Sequence, residues 1–260
     1  MVIRGLPDGH QGLLRLQLSV LDAHQHAADP GAWARARTAG ITAAVLAGVG
    51  PSDWDPMAAA AGRDRVWCAG LHPWWVRDAP EATVSAALDA LADRLDRGGP
   101  VAVGECGLDH ARTRDAHGRA RQREALHAQL CLARDHGLPV VLHVVRATAA
   151  ARAAVAAVGL PQGGLVHGFT GALEVGREWH RAGFLLGVGA AVHRSRRLQA
   201  TVAALPEAAL VLESDAADPA TTLPGVRDAV ARLRREDPHH TARYTEANAR
   251  RLFGLPGRSA

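Results

Sequence analysis

The chain has 260 residues, 48% of them hydrophobic, which is enough for a large core, and a formal net charge of +4. Its three cysteines, Cys68, Cys106 and Cys131, are odd in number and lack Cys-x-x-Cys spacing, which argues against a disulfide framework or structural zinc and for a reduced, cytoplasmic setting. No apolar run reaches the roughly 18 residues of a membrane helix, and the N-terminal segment lacks the continuous apolar centre of a signal peptide.

Residues 1–15 form an extension with no element assigned. From there short apolar runs alternate with longer amphipathic ones, the order that implies βαβ units and a parallel sheet. In chain order the pattern predicts strands at 16–21, 42–47 and 66–70, a helix over 80–97, a strand at 101–104 and a helix over 119–136. In that helix Ala125, Leu126, Leu130, Leu132 and Ala133 recur near helical spacing. A strand at 139–142, an alanine-rich helix over 147–158 and a strand at 164–166 come next. A helix over 173–181, a strand at 184–188, a helix over 197–205 and a strand at 209–212 follow. A last helix over 241–255 is stopped by Gly254 and Pro256. Eight strands with intervening helices make an α/β chain of the (β/α)8 barrel type, and the length agrees. No linker or repeat divides it, so 16–256 is expected to be a single domain.

All 30 basic side chains are arginine, and they are interspersed with acids along the helices. That pattern reads as a solvated surface; it permits an anionic substrate without requiring one.

Six metal-capable side chains stand at the ends of separate apolar runs: His24, His26, Glu105, His143, His167 and Asp215. In a parallel barrel the C-terminal ends of all strands meet on one face around the axis. Imidazole and carboxylate suit zinc, manganese and similar ions, and a bridging carboxylate can hold two ions about 3.5–4 Å apart. Strand alternation turns His24 and His26 to one side and Gln25 to the other. Glu105, between Gly104 and Gly107, is the expected bridge. Asp22 and Glu213 are expected to orient ligands; Asp109 is either such a group or a turn cap. His72 follows the third strand on the same face and is expected to touch substrate. Trp74 and Trp75 are candidates for stacking on a base, against simple packing. Cys106 is read as an apolar filler, and His117, His127, His136 and His180 as surface or packing residues.

The segments Asp22-Ala-His-Gln-His26, Gly70-Leu-His-Pro73, Gly104-Glu-Cys-Gly-Leu-Asp109, Leu142-His143, Val166-His-Gly-Phe-Thr-Gly171, Gly187-Val-Gly189, Leu212-Glu-Ser-Asp-Ala216 and Asn248-Ala-Arg-Arg-Leu-Phe253 resemble, in order, those of the TatD family of metal-dependent hydrolases. The resemblance implies a TIM-type barrel, two divalent ions (Zn, Mn or Mg) and a phosphodiesterase or nuclease activity. It implies that His24, His26, Glu105 and Asp215 hold one ion while Glu105, His143 and His167 hold the other. A hydroxide on the ions would attack phosphorus, with Asp215 taking its proton and His72 near the substrate. Nucleic acid ends would be the substrate, with no membrane and no obligate protein partner.

Three places depart from the family pattern. The family's arginine two positions after the strand-five histidine is replaced by Val145, with Arg146 displaced by one; Arg146 is the candidate phosphate contact. The segment after Asp215 is shorter than usual, and residues 190–193 lack the usual threonine-containing form. The leading expectation is cleavage of single-stranded DNA or RNA ends. An ester or amide hydrolase, such as a D-aminoacyl-tRNA deacylase, and a catalytically weak binding partner are the alternatives.

Overall fold

The computed structural model describes residues 19–26, 28–216 and 218–257. Strand and helix alternate as β1 (Val20–Gln25), α1 (Pro30–Thr38), β2 (Ile41–Ala47), α2 (Pro51–Ala60), β3 (Arg65–Ala69), α3 (Pro73–Asp78), α4 (Glu81–Asp96) and β4 (Ala102–Asp109). They continue as α5 (Ala116–Asp135), β5 (Val140–Val145), α6 (Thr148–Val158), β6 (Gly164–Val166), α7 (Leu173–Arg181), β7 (Phe184–Val188), α8 (Arg196–Ala204), β8 (Leu210–Leu212), α9 (Leu223–Arg234) and α10 (Pro238–Phe253). All eight strands pair in parallel and in sequence order, which gives the TIM-type (β/α)8 barrel.

Local chemistry sets the helix ends. Asp29, Asp115, Ser195 and Asp237 accept backbone N–H groups in the first turns of α1, α5, α8 and α10, where a short polar side chain satisfies an orphan donor. Gly254, in the left-handed conformation at φ 63°, ends α10.

The core has two parts. Between strands and helices lies a shell that includes Leu46, Leu91, Leu126, Leu130, Leu142, Trp179 and Phe184. Inside the barrel, Leu21, Val45, Cys68, Val141, Leu165 and Val211 pack together, with Phe253 and Leu255 in the same cluster. Large aliphatic layers fill such a barrel, leaving chemistry to the C-terminal rim.

The seam between β1 and β8 is fastened differently from the other neighbours. Asp215 N donates to His24 O at 3.0 Å. Asp22 Oδ1 accepts the Ser214 N–H at 2.9 Å and Oδ2 accepts the Ser214 hydroxyl at 2.6 Å. Asp22 is therefore a seam fastener as well as a neighbour of His24, whose N–H it accepts at 3.3 Å.

Several boundaries differ from expectation. β1 runs through Gln25, so His24 lies inside the strand; residues 1–18, including the expected extension and the start of the expected first strand, lie outside the described residues. β4 and β5 also run past the expected ends, placing Glu105 and His143 within strands. Past the expected end at 104, β4 continues, with Gly104 and Gly107 at φ 153° and 145°. Gly107 is needed for closeness: a Cβ there would lie 2.0 Å from His143 O. The helices α1, α2 and α3 escape the sequence reading because short, proline-started segments show little apolar periodicity; α9 escapes it too, although Leu223, Val226 and Val230 recur at helical spacing. Among the described residues no helix is long and apolar enough to cross a membrane.

Candidate metal centre

The barrel rim brings all six sequence-predicted ligands together around Glu105. Its Oε2 lies 3.2 Å from His24 Nε2 and 3.7 Å from His26 Nε2. Asp215 Oδ1 closes that side, 3.7 Å from His24 Nε2 and 3.3 Å from His26 Nε2. Glu105 Oε1 faces the other set, 2.9 Å from His143 Nδ1 and 2.7 Å from His167 Nε2. One carboxylate thus offers one oxygen to each of two donor groups, the arrangement expected of a bridge.

His72 joins the second set. Its Nε2 is 3.1 Å from Glu105 Oε1 and 3.2 Å from His143 Nδ1. Its Nδ1 accepts the Trp74 N–H at 3.1 Å, which leaves the ring proton on Nε2, aimed into the site. His72 is thereby a donor beside the ligands, buried behind Trp74.

The donor set fits divalent ions. Within 4.8 Å, mutually close donor groups form from His24–Glu105–His167, His24–His26–Asp215 and His72–Glu105–His143. His24 Nε2 is buried and has no hydrogen-bond partner despite its close neighbours. His143 Nδ1, His167 Nε2 and Glu105 Oε1 crowd together at 2.7–3.1 Å, and the shared protons available cannot satisfy that many lone pairs. Imidazole-rich sets with a carboxylate suit zinc or manganese better than magnesium.

Charge follows the same geometry. Burial pushes the His24 imidazole down to about 4, with His167 adding to the effect. Burial works against a charged His167 too, but Glu105 overrides it and raises that imidazole to about 9. Burial would raise the Glu105 carboxyl; His167 and His24 outweigh it and hold it well below the usual carboxylate range. Asp215 is likewise lowered against burial, by its hydrogen bond with His26 and by His167. The wall carboxyls go the other way, Glu213 to about 8 and Asp22 to about 7, both by burial. Glu213 Oε1 accepts the Gly168 N–H and lies 4.0 Å from His167 Nδ1. Space for it comes from Gly187, where a Cβ would sit 2.0 Å from Glu213 Oε2.

Other expected site residues fall in varied places. Arg146 is exposed at φ 53°. With Thr148, Thr170 and Arg197 it lines a cavity of about 510 Å³, against Val166, Phe169, Val175 and Trp179. Trp74 donates its indole N–H to Asp109 and carries the Arg112 guanidinium 3.7 Å above its ring, so it is committed to the wall. Trp75 packs against Gly50. Cys106 is buried with its thiol pushed up by burial, and its Sγ donates to Val141 O. His117 and His127 are exposed, and His136 bonds Leu132 O and Asp96.

Sequence reasoning missed Gln122 and Gln129 of α5. Both are buried among its apolar residues. Gln129 accepts the Leu71 N–H at 2.7 Å and donates to Leu71 O, fixing the residue before His72. Gln122 accepts the Asp109 N–H and donates to Pro73 O and Thr113 Oγ1. Two glutamines seven apart on the buried face of an amphipathic helix were the signal, since a buried amide requires partners.

Residues 21–254 match the family described as TatD related DNase. The chain belongs to that family. A Pantoea ananatis protein named 3'-5' ssDNA/RNA exonuclease TatD is 34% identical over 244 residues, covering 85% of this chain and 91% of its own. YjjV of Escherichia coli, named an uncharacterized metal-dependent hydrolase, is 32% identical over 200 residues, covering 72% of this chain and 76% of its own. The crystal structure of E. coli YjjV, a TatD homolog, superposes with a TM-score of 0.82 at 26% identity, covering 93% of this chain and 100% of that one. As a TatD-type protein the chain is a metal-dependent hydrolase, in accord with the donors gathered on Glu105.

Proposed function

We propose that this TatD-type hydrolase cleaves phosphodiester bonds at the ends of single-stranded DNA or RNA, using two divalent ions bridged by Glu105. The observation that carries the reading is the split of Glu105: Oε2 faces His24, His26 and Asp215, and Oε1 faces His143 and His167. The first group would hold one ion and the second the other. The name of the Pantoea ananatis relative supports nucleic acid ends as substrate.

When bound, the ions would supply Lewis acidity toward a phosphoryl oxygen and make an attacking water acidic. The chain's own groups do the rest. Asp215, held ionised and half open to solvent, is the acceptor for the proton of that water. The His72 Nε2–H points toward Glu105 and is placed to donate to a phosphate oxygen entering the same space. Arg146 and Arg197 at the neighbouring cavity offer guanidinium charge to the next phosphate. The free cysteines, among the described residues, support a reducing, cytoplasmic setting.

The test is hydrolysis of a short end-labelled single-stranded oligonucleotide by protein loaded with zinc or manganese, beside Glu105→Ala. Stepwise shortening that disappears in the variant is the expected result and gives the polarity. A fully loaded protein that leaves the oligonucleotide intact while hydrolysing an ester or aminoacyl ester would overturn the nuclease reading.

A further inference from the structure

Asp109 closes β4 beside the metal centre and is 2% exposed. Its two carboxylate oxygens have separate duties. Oδ1 accepts the backbone N–H groups of Ala111 and Arg112 at 2.8 and 2.9 Å, an ordinary turn cap. Oδ2 accepts the Trp74 indole N–H at 2.6 Å and lies 3.4 Å from His143 Nε2. The other nitrogen of that imidazole, Nδ1, is the one that faces Glu105 and His167.

A neutral imidazole carries one proton, and only the nitrogen without it can donate to a metal. Whichever group binds the far nitrogen therefore chooses the ligating one. We propose that Asp109 is a positioning residue that accepts the Nε2 proton of His143 and so presents Nδ1 to the ion shared with Glu105 and His167, while Trp74 and the turn hold Asp109 in place. This rests on His143 being a ligand, as the functional reading has it. Trp74 gives Oδ2 a second donor and fixes its direction, and its ring lies 4.7 Å from the His72 ring and 5.7 Å from the His143 ring. Arg112, stacked 3.7 Å over the indole, covers the assembly from solvent.

The two duties separate in Asp109→Asn, which retains an oxygen for the turn cap but turns an NH2 group toward two N–H donors. Affinity for zinc is measured on metal-stripped protein by competition with a chromogenic chelator, a readout independent of turnover. The expected loss for Asp109→Asn is about 10–100-fold, with native secondary structure retained by circular dichroism, and a shifted visible spectrum when cobalt replaces zinc. Trp74→Phe, which removes the indole N–H along with the five-membered ring but keeps an aromatic face, is expected to lose several-fold and serves in its place if Asp109→Asn does not fold. His143→Ala is the reference: on that background Asp109→Asn should cost nothing more. Unchanged affinity in folded Asp109→Asn or Trp74→Phe, or an equal loss with and without His143, overturns the proposal while leaving the ligand reading standing. Unchanged affinity in His143→Ala overturns the ligand reading, and the proposal with it.

Discussion

Around Glu105 Oε1 the donors are sealed: His143, His167 and His72 are all buried, with Asp109 facing His143 and the Trp74 N–H bonding His72. Around Oε2 only His24 is sealed; the side chains of His26 and Asp215 are 29% and 47% exposed. Outside the donor group, His26 Nδ1 bonds Ala47 O at 2.8 Å. Asp215 sits at φ 50° on the seam between β1 and β8. Enclosure fixes donor geometry and excludes competing water, whereas an open side lets substrate and solvent reach the ion. On the proposed two-ion reading, the contrast predicts a division of labour: an ion on the Oε1 side would be retained, and one on the Oε2 side would exchange and meet substrate.

The largest effect should come from abolishing the comparison itself. Glu105→Ala removes the carboxylate proposed to serve both sides, so oligonucleotide cleavage should fall by at least about 10³-fold. Metal analysis after gel filtration should show both ions diminished. Retention of both would mean that the two sides do not depend on the bridge.

Next, the two sides should release metal unequally. Treating the loaded protein with a mild chelator should remove metal in two phases, a fast one from the His26–Asp215 side and a slow one from the His143–His167 side. His26→Ala should abolish the fast phase and leave the slow one, and His167→Ala should do the reverse. A single phase in the unaltered protein would show that enclosure makes no difference to retention.

Protonation sharpens the same contrast. In the metal-free protein His167 is raised to about 9, while His24 is lowered to about 4 and Glu105 is already ionised. At pH 7 the proton to be expelled on metal binding therefore sits mainly on His167, with His26, also raised, contributing. About one to two protons should be released per protein, measured by titration calorimetry in buffers of different ionisation enthalpy. Affinity should strengthen as pH rises toward 9. The sign for folding is opposite: the raised His167 value contributes stability to the metal-free protein that is full below about 6.5 and lost as pH rises through about 9. Release of no protons at pH 7 would show that His167 is not the group displaced.

The six donors were legible in sequence because a His, Glu or Asp ending an apolar run must face the rim of a parallel barrel. The strand order was legible for the same reason, since alternating short and long apolar runs leave few other folds. What stayed hidden depends on contacts far apart in the chain. Asp22 and Ser214 are 192 positions apart, and no local pattern announces their bond. The place of Gly107 beside Glu105 is plain in sequence, but its partner is not: His143 O on β5 stands where its side chain would be. Asp109 is ambiguous in sequence because a turn cap and a carboxylate facing an imidazole use the same residue type; only the separate partners of Oδ1 and Oδ2 resolve them.

The smallest effect concerns Arg146, exposed just after β5. Arg146 occupies the left-handed region at φ 53°, a conformation that costs a side-chain-bearing residue roughly 1–2 kcal/mol and glycine almost nothing. Glycine in turn loses about 0.5–1 kcal/mol through the greater freedom of the unfolded chain. Arg146→Gly should therefore change stability by between about 0 and 1.5 kcal/mol, in the stabilising direction. The same substitution removes a guanidinium from the cavity beside His143 and His167, so KM for an oligonucleotide should rise about 3–10-fold with kcat little altered, the mark of lost uniform binding. Because strain relief and charge loss act on different observables, one variant separates them. If KM stays put while the thermal midpoint rises, Arg146 is a strained loop residue without a phosphate to bind. If kcat falls instead, a residue outside the sealed donors would be reaching into the chemistry, and the proposed division between the two sides would have to be redrawn around Arg146.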